Sequence, residues 1–224
     1  MLLLGIDTCG PSGSVALGRR SGSEIEILGQ TELEGRSYSA TLVAAVGDLL
    51  ASHGVSLRQV GCMVAVNGPG SFTGVRLGLA AVKGLAQAAE IPVVAVSRLE
   101  VLAGKAAVAS SALDAHRHEI YLRVDSGTGG RELLAGAGEL AMIEPVPART
   151  AVCDESAGAV LALAWPDTEL VHAPAPTAAD ALKLVATRIA DRDFVDLALL
   201  DGHYLRRSDA EIFGDPVAAP AHRP

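Results

Sequence analysis

"LLLGIDTCGPSGSVAL" (residues 2–17) is the stretch on which the fold turns. It opens as a short apolar run that closes on an acid, Asp7, as a buried strand does. "SVALGRR" (14–20) and "EIEILGQTEL" (24–33) follow, separated by Gly-Ser turns, and the three segments read as an antiparallel meander. Further along, "SSALDAHRHEIYLRV" (110–124) has the same plan: strand, Asp114, tight turn, strand. A plan met twice predicts a duplicated αβ unit, two half-domains facing each other.

Between the two copies the pattern alternates. "SYSATLVAAVGDLLASH" (37–53) sets Leu42, Val43, Val46, Leu49 and Leu50 at helical spacing, with Gly54 as the stop. "GCMVAV" (61–66) is a buried strand, and "NGPGSFTGVRLG" (67–78) follows it. That loop fails both phosphate fingerprints. Gly74 is followed by Val75 and Arg76, so no Walker lysine falls in place, and the third glycine of a GxGxxG is Thr73. Pro69 and Gly70 suit the centre of a type II turn, and Ser71 or Thr73 suits the cap of a helix running to about Ala89. "IPVVAVS" (91–97) predicts a strand and "RLEVLAGKAAV" (98–108) a helix. Beyond the second copy come a turn at Gly127–Gly130, a strand at 151–155, a helix from Ser156 to Ala164, and a helix over 178–192 capped by Thr177. The expected division is one half over 1–103, a second over 104–207, and a tail over 208–224.

The two long helices of the first half carry small residues beside their large ones. Gly74, Gly78, Ala81 and Ala88, with Leu85 between, adjoin the Val75, Leu79, Val82 face, and Ala40, Ala44, Gly47 and Ala51 adjoin the Leu/Val face of the earlier helix. An interior glycine costs a helix about 1 kcal/mol against alanine, so close packing is the expected return. The large faces pack on a sheet. Pattern alone leaves the small faces two readings, a partner's helices or simple Ala-richness.

The bulk numbers exclude some classes. The chain has 224 residues and a formal charge of −8, with a pI near 5.2, which disfavours autonomous nucleic-acid binding. Arg206-Arg207 reads as solvated surface. Cys9, Cys62 and Cys153 are widely spaced with no CxxC, which fits a reducing compartment and neither a disulfide scaffold nor a zinc ribbon. The initial apolar run is too short for a signal sequence and no stretch reaches membrane-span length, so a soluble cytoplasmic protein is expected.

"GPGSFTGVRLGLAAVKGLA" (68–86), after "GIDTCGPSGSVALG" (5–18), resembles the TsaB family, also called YeaZ, of the bacterial threonylcarbamoyladenosine tRNA-modification pathway. "SRLEVLA" (97–103), "LDAHRHEIYLRV" (113–124) and "YLRRSDAE" (204–211) extend the resemblance. It implies an actin/Hsp70/sugar-kinase-like (ASKHA) α/β fold of duplicated half-domains with mixed sheets flanked by helices. It also implies no independent catalysis and pairing with the catalytic paralogue TsaD through helices of the N-terminal half. An ATPase, TsaE, joins them. The complex moves a threonylcarbamoyl group onto N6 of the adenosine next to the anticodon of tRNAs reading ANN codons. On this resemblance the partner interface falls at Ala40, Ala44, Gly47, Ala51, Gly74, Gly78, Ala81 and Leu85. The same surface would serve a homodimer when the chain is alone, and tRNA would be met only through the complex.

The chain also departs from its paralogues. "EGRSYSATLVAAV" (34–46) lacks the paired metal-binding histidines of TsaD, and His116 and His118, expected on a strand, read as surface residues and not metal ligands. "CDESA" (153–157) replaces a GDGA-like turn, and His203 stands where proline is common. Asp7, Thr8 and Asp114 are the positions that could hold nucleotide, with ATP or ADP as the cofactor left open within the complex; the bland reading of Asp7 is a turn-forming acid. The alternative function is a stand-alone, glycoprotease-like hydrolase or a nucleotide-using enzyme. Against it, HExxH and GxSxG are missing, and Ser71 has no histidine partner evident in the sequence.

Overall fold

A computed structural model describes residues 1–34, 38–125 and 130–206. The meander of the sequence is β1 (Leu2–Asp7), β2 (Ser12–Ser21) and β3 (Glu24–Glu34), paired antiparallel. β4 (Val60–Val66) joins the other side of β1 in parallel, and β5 (Val93–Val96) joins β4 in parallel, giving the order β3-β2-β1-β4-β5. The second sheet repeats this plan. β6 (Ser110–Asp114), β7 (Ile120–Asp125) and β8 (Gly130–Ala135) form its antiparallel part, and β9 (Arg149–Val152) and β10 (Glu169–His172) its parallel part, in the order β10-β9-β6-β7-β8. Asp7 and Asp114 end the equivalent strands β1 and β6. Two mixed five-stranded sheets of identical topology make this a duplicated ASKHA-like α/β fold.

Burial explains why β1 reads as unbroken apolar sequence: it is covered on both faces. α1 (Tyr38–Ser52) and α2 (Phe72–Ala89) pack on one face of the first sheet. α6 (Ala178–Leu184) packs on the other, where Gly5 and Gly18 leave room for Leu182. In the second sheet Ala112, Leu122 and Val152 meet Ala157 and Leu161 of α5 (Glu155–Ala164), while Leu113 and Ala151 meet Leu99 and Leu102 of α3 (Arg98–Lys105). The short α4 (Ala137–Leu140) lies beside α5.

Several expectations change. The stretch 178–192 is two helices, α6 and α7 (Ala186–Ala190), broken at Val185, whose ψ of 12° leaves the helical range. Ala178, Ala181, Leu182, Val185, Ile189 and Leu200 all belong to the core of the first sheet. The stretch 104–207 therefore does not fold as one half: its strands build the second sheet, and its last helices return to the first. β8, α4 and β10 went unread. β8 has no clean alternation and β10 is four residues long. The predicted turn at Gly127–Gly130 falls largely, and the tail wholly, outside the described residues.

The loop into α2 is not a type II turn. Gly68, not Gly70, carries the positive φ, 115°, and the Gly68–Pro69 bond is cis. Gly70 is needed for another reason. A Cβ there would overlap the Cys9 carbonyl oxygen, to which Ser71 N donates at 2.8 Å. The Ser71 cap is present, its hydroxyl accepting from Gly74 N at 3.3 Å, as is the Thr177 cap.

Candidate functional site

A cleft of about 810 Å³ runs between the two sheets, walled by Gly10, Tyr38, Ser71, Asp114, Tyr121 and Asp154 among others. Asp7 does not face it. The side chain is 1% exposed. One carboxylate oxygen accepts from Cys9 N at 2.8 Å, the Asx geometry of a turn-forming acid. The other lies 3.4 Å from Nε of Arg98, the buried first residue of α3. Burial alone would lower the Arg98 pKa; the Asp7 carboxylate, by its charge and its hydrogen bond, opposes this, and the pKa is held above its ordinary value. Arg98 therefore keeps its charge in the buried ion pair with Asp7. Thr8 is also buried, and its hydroxyl donates to the Gly74 carbonyl at 2.7 Å.

Asp7 and Thr8, two of the positions expected to meet nucleotide, are thus buried, the first against a guanidinium and the second against a helix backbone. Asp114 does line the cleft. Its carboxylate accepts from His116 N at 2.8 Å and lies 3.0 Å from His116 Nδ1, while its own N–H donates to Asp154 at 3.1 Å. The structure thus separates the two aspartates that the sequence set side by side: one is a buried structural ion, the other a cleft residue.

The side chains that could act as nucleophiles make internal contacts. Cys9 donates its S–H to the Val66 carbonyl at 3.3 Å. Burial, then the neighbouring Asp7 charge, pushes the thiol well above its ordinary pKa, so it stays protonated. Ser71 is a helix cap, and among the described residues no histidine hydrogen-bonds to it. Tyr38 donates to the Gly10 carbonyl at 3.0 Å; burial first, and Asp7 second, move its pKa to about 12, so it remains a neutral donor.

His116, Arg117 and His118 are not on a strand. They form a left-handed turn with φ of 61°, 58° and 62°, a conformation costing on the order of 1 kcal/mol for each non-glycine residue. Arg206 holds that turn, donating to the Ala115 carbonyl at 2.7 Å and pairing with Glu119 at 2.6 Å. Among the described residues no three of His, Cys, Asp or Glu gather as a metal site, and no helix is long and apolar enough to cross a membrane.

Arg206 lies on a strap that ties the halves together. Val195 N donates to Val93 O at 2.9 Å and His203 N to Asn67 O at 2.7 Å, both in the first half. His203 Nε2 then meets Glu132 of β8 at 2.9 Å, in the second half. Glu132 also accepts from Ser97 at 2.6 Å and Arg123 at 2.9 Å. Burial would raise its pKa, but the three donors outweigh burial and lower it. A depressed carboxylate contributes stability above its unfolded value, near 4.5, and loses it as pH falls through the folded value. Urea melts should therefore show the stability gap between the protein and Glu132→Gln narrowing below pH 4.5. A gap independent of pH in that range contradicts the assignment.

The outer helices are where the small stripes part company. Ala40, Ala44, Gly47 and Ala51 of α1 are exposed, a Cβ on Gly47 would touch nothing, and Val43 beside them is 60% exposed. Gly74 and Gly78 are instead buried, and a Cβ on either would overlap Thr8, the first at its carbonyl oxygen and the second at its hydroxyl. Their small size lets α2 seat on the end of β1, so they do not belong to an outer face. Ala81 and Leu85 are half-buried against the core. The exposed edge of α2 runs through Thr73, Arg76, Ala80, Gly84 and Gln87, which the sequence reading missed. Gly74→Ala should cost about 2 kcal/mol by overpacking, seen as a lower urea midpoint; an unchanged midpoint would show that Thr8 can move aside.

The chain is similar to known proteins in sequence and in fold. A family model described as TsaD, tRNA N6-adenosine threonylcarbamoyltransferase, matches residues 29–138. The chain is 35% identical over 127 residues to the tRNA threonylcarbamoyladenosine biosynthesis protein TsaB of Haemophilus influenzae, covering 54% of this chain and 52% of that one. It is equally identical, over the same length, to TsaB of Escherichia coli, covering 53% of that protein. The chain spans about half the length of the curated relatives it matches. The solved structure of YeaZ from Pseudomonas aeruginosa aligns with a TM-score of 0.69 and 28% identity, covering 91% of this chain and 99% of that one.

Proposed function

We propose, from the premise that the chain belongs to the TsaB/YeaZ family, that it serves threonylcarbamoyladenosine formation in tRNA as a non-catalytic partner of TsaD. The observation that carries this is the outer face of α1. Ala40, Ala44, Gly47 and Ala51 form an exposed small stripe around an exposed Val43. Small residues let a second helix approach closely, and an unpartnered aliphatic side chain at the centre gains by being covered. Ala80 and Gly84 of α2 offer a second small edge, with nothing within 4 Å of a Cβ placed on Gly84.

The partner is TsaD. TsaE joins the pair, nucleotide is handled within the complex, and tRNA is bound by the complex rather than by this acidic chain alone. Without TsaD the same face closes a symmetric homodimer. The cleft supports the non-catalytic reading, because Asp7, Thr8, Cys9 and Ser71 are each committed to internal contacts. The work is done in the cytoplasm, where the tRNA is.

Reconstitution tests this. The chain, TsaD and TsaE from one source are combined with threonylcarbamoyl-adenylate, ATP and an ANN-decoding tRNA, and each protein is omitted in turn. The expected result is modification that needs both this chain and TsaD. Full modification without this chain, or turnover by it alone that Ser71→Ala removes, overturns the proposal.

A further inference from the structure

We propose that Phe72, Arg76 and Tyr204 form a preset anchor that grips a carboxylate on the protein partner; this rests on the docking role above. The three side chains come from the start of α2 and from the strap, 128 residues apart at the Arg76–Tyr204 contact. The Arg76 guanidinium lies 3.8 Å from the Phe72 ring centroid and 5.9 Å from that of Tyr204. Its Nε donates to the Tyr204 hydroxyl at 3.2 Å, and the two rings are 5.4 Å apart. Cation–π contact and a hydrogen bond thus fix a long side chain that would otherwise be free. Yet Phe72 is 49% and Tyr204 39% exposed, so the cluster is open to a partner.

Charge says what the partner brings. Arg19, Arg98, Arg123, Arg149, Arg188 and Arg206 each pair with a carboxylate. Arg76, like Arg20, Arg58, Arg117, Arg131 and Arg192, has no such partner among the described residues, and what sets it apart is that two rings and a tyrosine hydroxyl hold it. A guanidinium held in place with its terminal N–H groups unpaired suits bidentate capture of a carboxylate, and the prior ordering spares the entropy of fixing it on binding. Arg76, Ala80 and Gly84 lie four residues apart on one exposed line of α2, so the anchor continues the small edge already described. Tyr and Arg are also the side chains that most often dominate interface energies. A phosphate-tracking surface would gather several cations, whereas this stack offers one guanidinium on a chain of charge −8.

Calorimetric titration with TsaD tests the anchor, using the wild-type chain, Arg76→Glu, Arg76→Lys, Phe72→Ala and a charge-matched control, Arg131→Glu, at the exposed position of β8. Arg76→Glu is expected to weaken pairing at least about thirtyfold and Phe72→Ala about tenfold, with Arg76→Lys between wild type and Arg76→Glu and the control within about threefold. Melting temperatures should match wild type throughout. Unchanged affinity for Arg76→Glu, or equal losses in Arg76→Glu and Arg131→Glu, overturns the anchor and leaves the docking role standing. Wild-type chain that fails to pair overturns both. Loss of tRNA binding by the lone Arg76→Glu chain with intact TsaD pairing assigns the stack to RNA and also overturns the anchor.

Discussion

Ala44→Arg is expected to abolish pairing with TsaD while leaving the chain folded. Ala44 is exposed on α1, between Ala40 and Gly47 and next to Val43. The free protein has room for the new side chain, and arginine forms helix nearly as well as alanine, so folding stability should change by no more than about 0.5 kcal/mol. In the proposed complex there would be no such room. Helices meeting through small residues bring their axes to roughly 8 Å, and an arginine there must either hold them apart or be buried unpaired. Either outcome should weaken pairing by about a hundredfold or more. Sedimentation of the mixture reads the loss, and a thermal melt of the free variant checks the fold. Gly78→Leu would be the wrong probe for this face, since its side chain would run into Thr8 inside the molecule.

Arg98→Met should be the most destabilising conservative change in the cleft wall. Methionine keeps most of the apolar stem of the side chain and removes the cation. It leaves the Asp7 carboxylate buried with the Cys9 N–H as its remaining described donor. Breaking one side of a buried pair costs about 3–5 kcal/mol. For a chain of this size that lowers the melting temperature by roughly 6–20 °C. The double change Asp7→Asn, Arg98→Met removes both charges and should recover part of the loss. A single variant that melts within about 2 °C of wild type would mean that Asp7 is reached by water or by another cation.

The two predictions differ in how far the sequence leads to them. β1 is legible because burial on both faces demands an unbroken apolar run, and β6, which opens on two serines, because its closing aspartate marks the same turn. Ser71 and Thr177 are legible because capping is local. The Asp7–Arg98 pair is not, since its members are 91 residues apart and either would pass for a surface charge. The short edge strand β10 leaves too few residues for a period to show. The glycines of α2 mislead for a physical reason: small size serves an internal approach to Thr8 as well as it serves an external one to a partner. Only the contacts around Gly74 and Gly78 tell the two apart. Their neighbours Ala80 and Gly84, equally small, point outward.

Hydroxyl-radical footprinting of the chain, alone and saturated with TsaD, tests the outer face most directly. Val43 on α1 and Leu163 on α5 are exposed aliphatic side chains in opposite halves, 60% and 88% accessible. Oxidation of Val43 should fall sharply in the complex while that of Leu163 holds. A complex that forms with Val43 oxidised as fast as before, or with protection moved to Leu163, would contradict docking through α1.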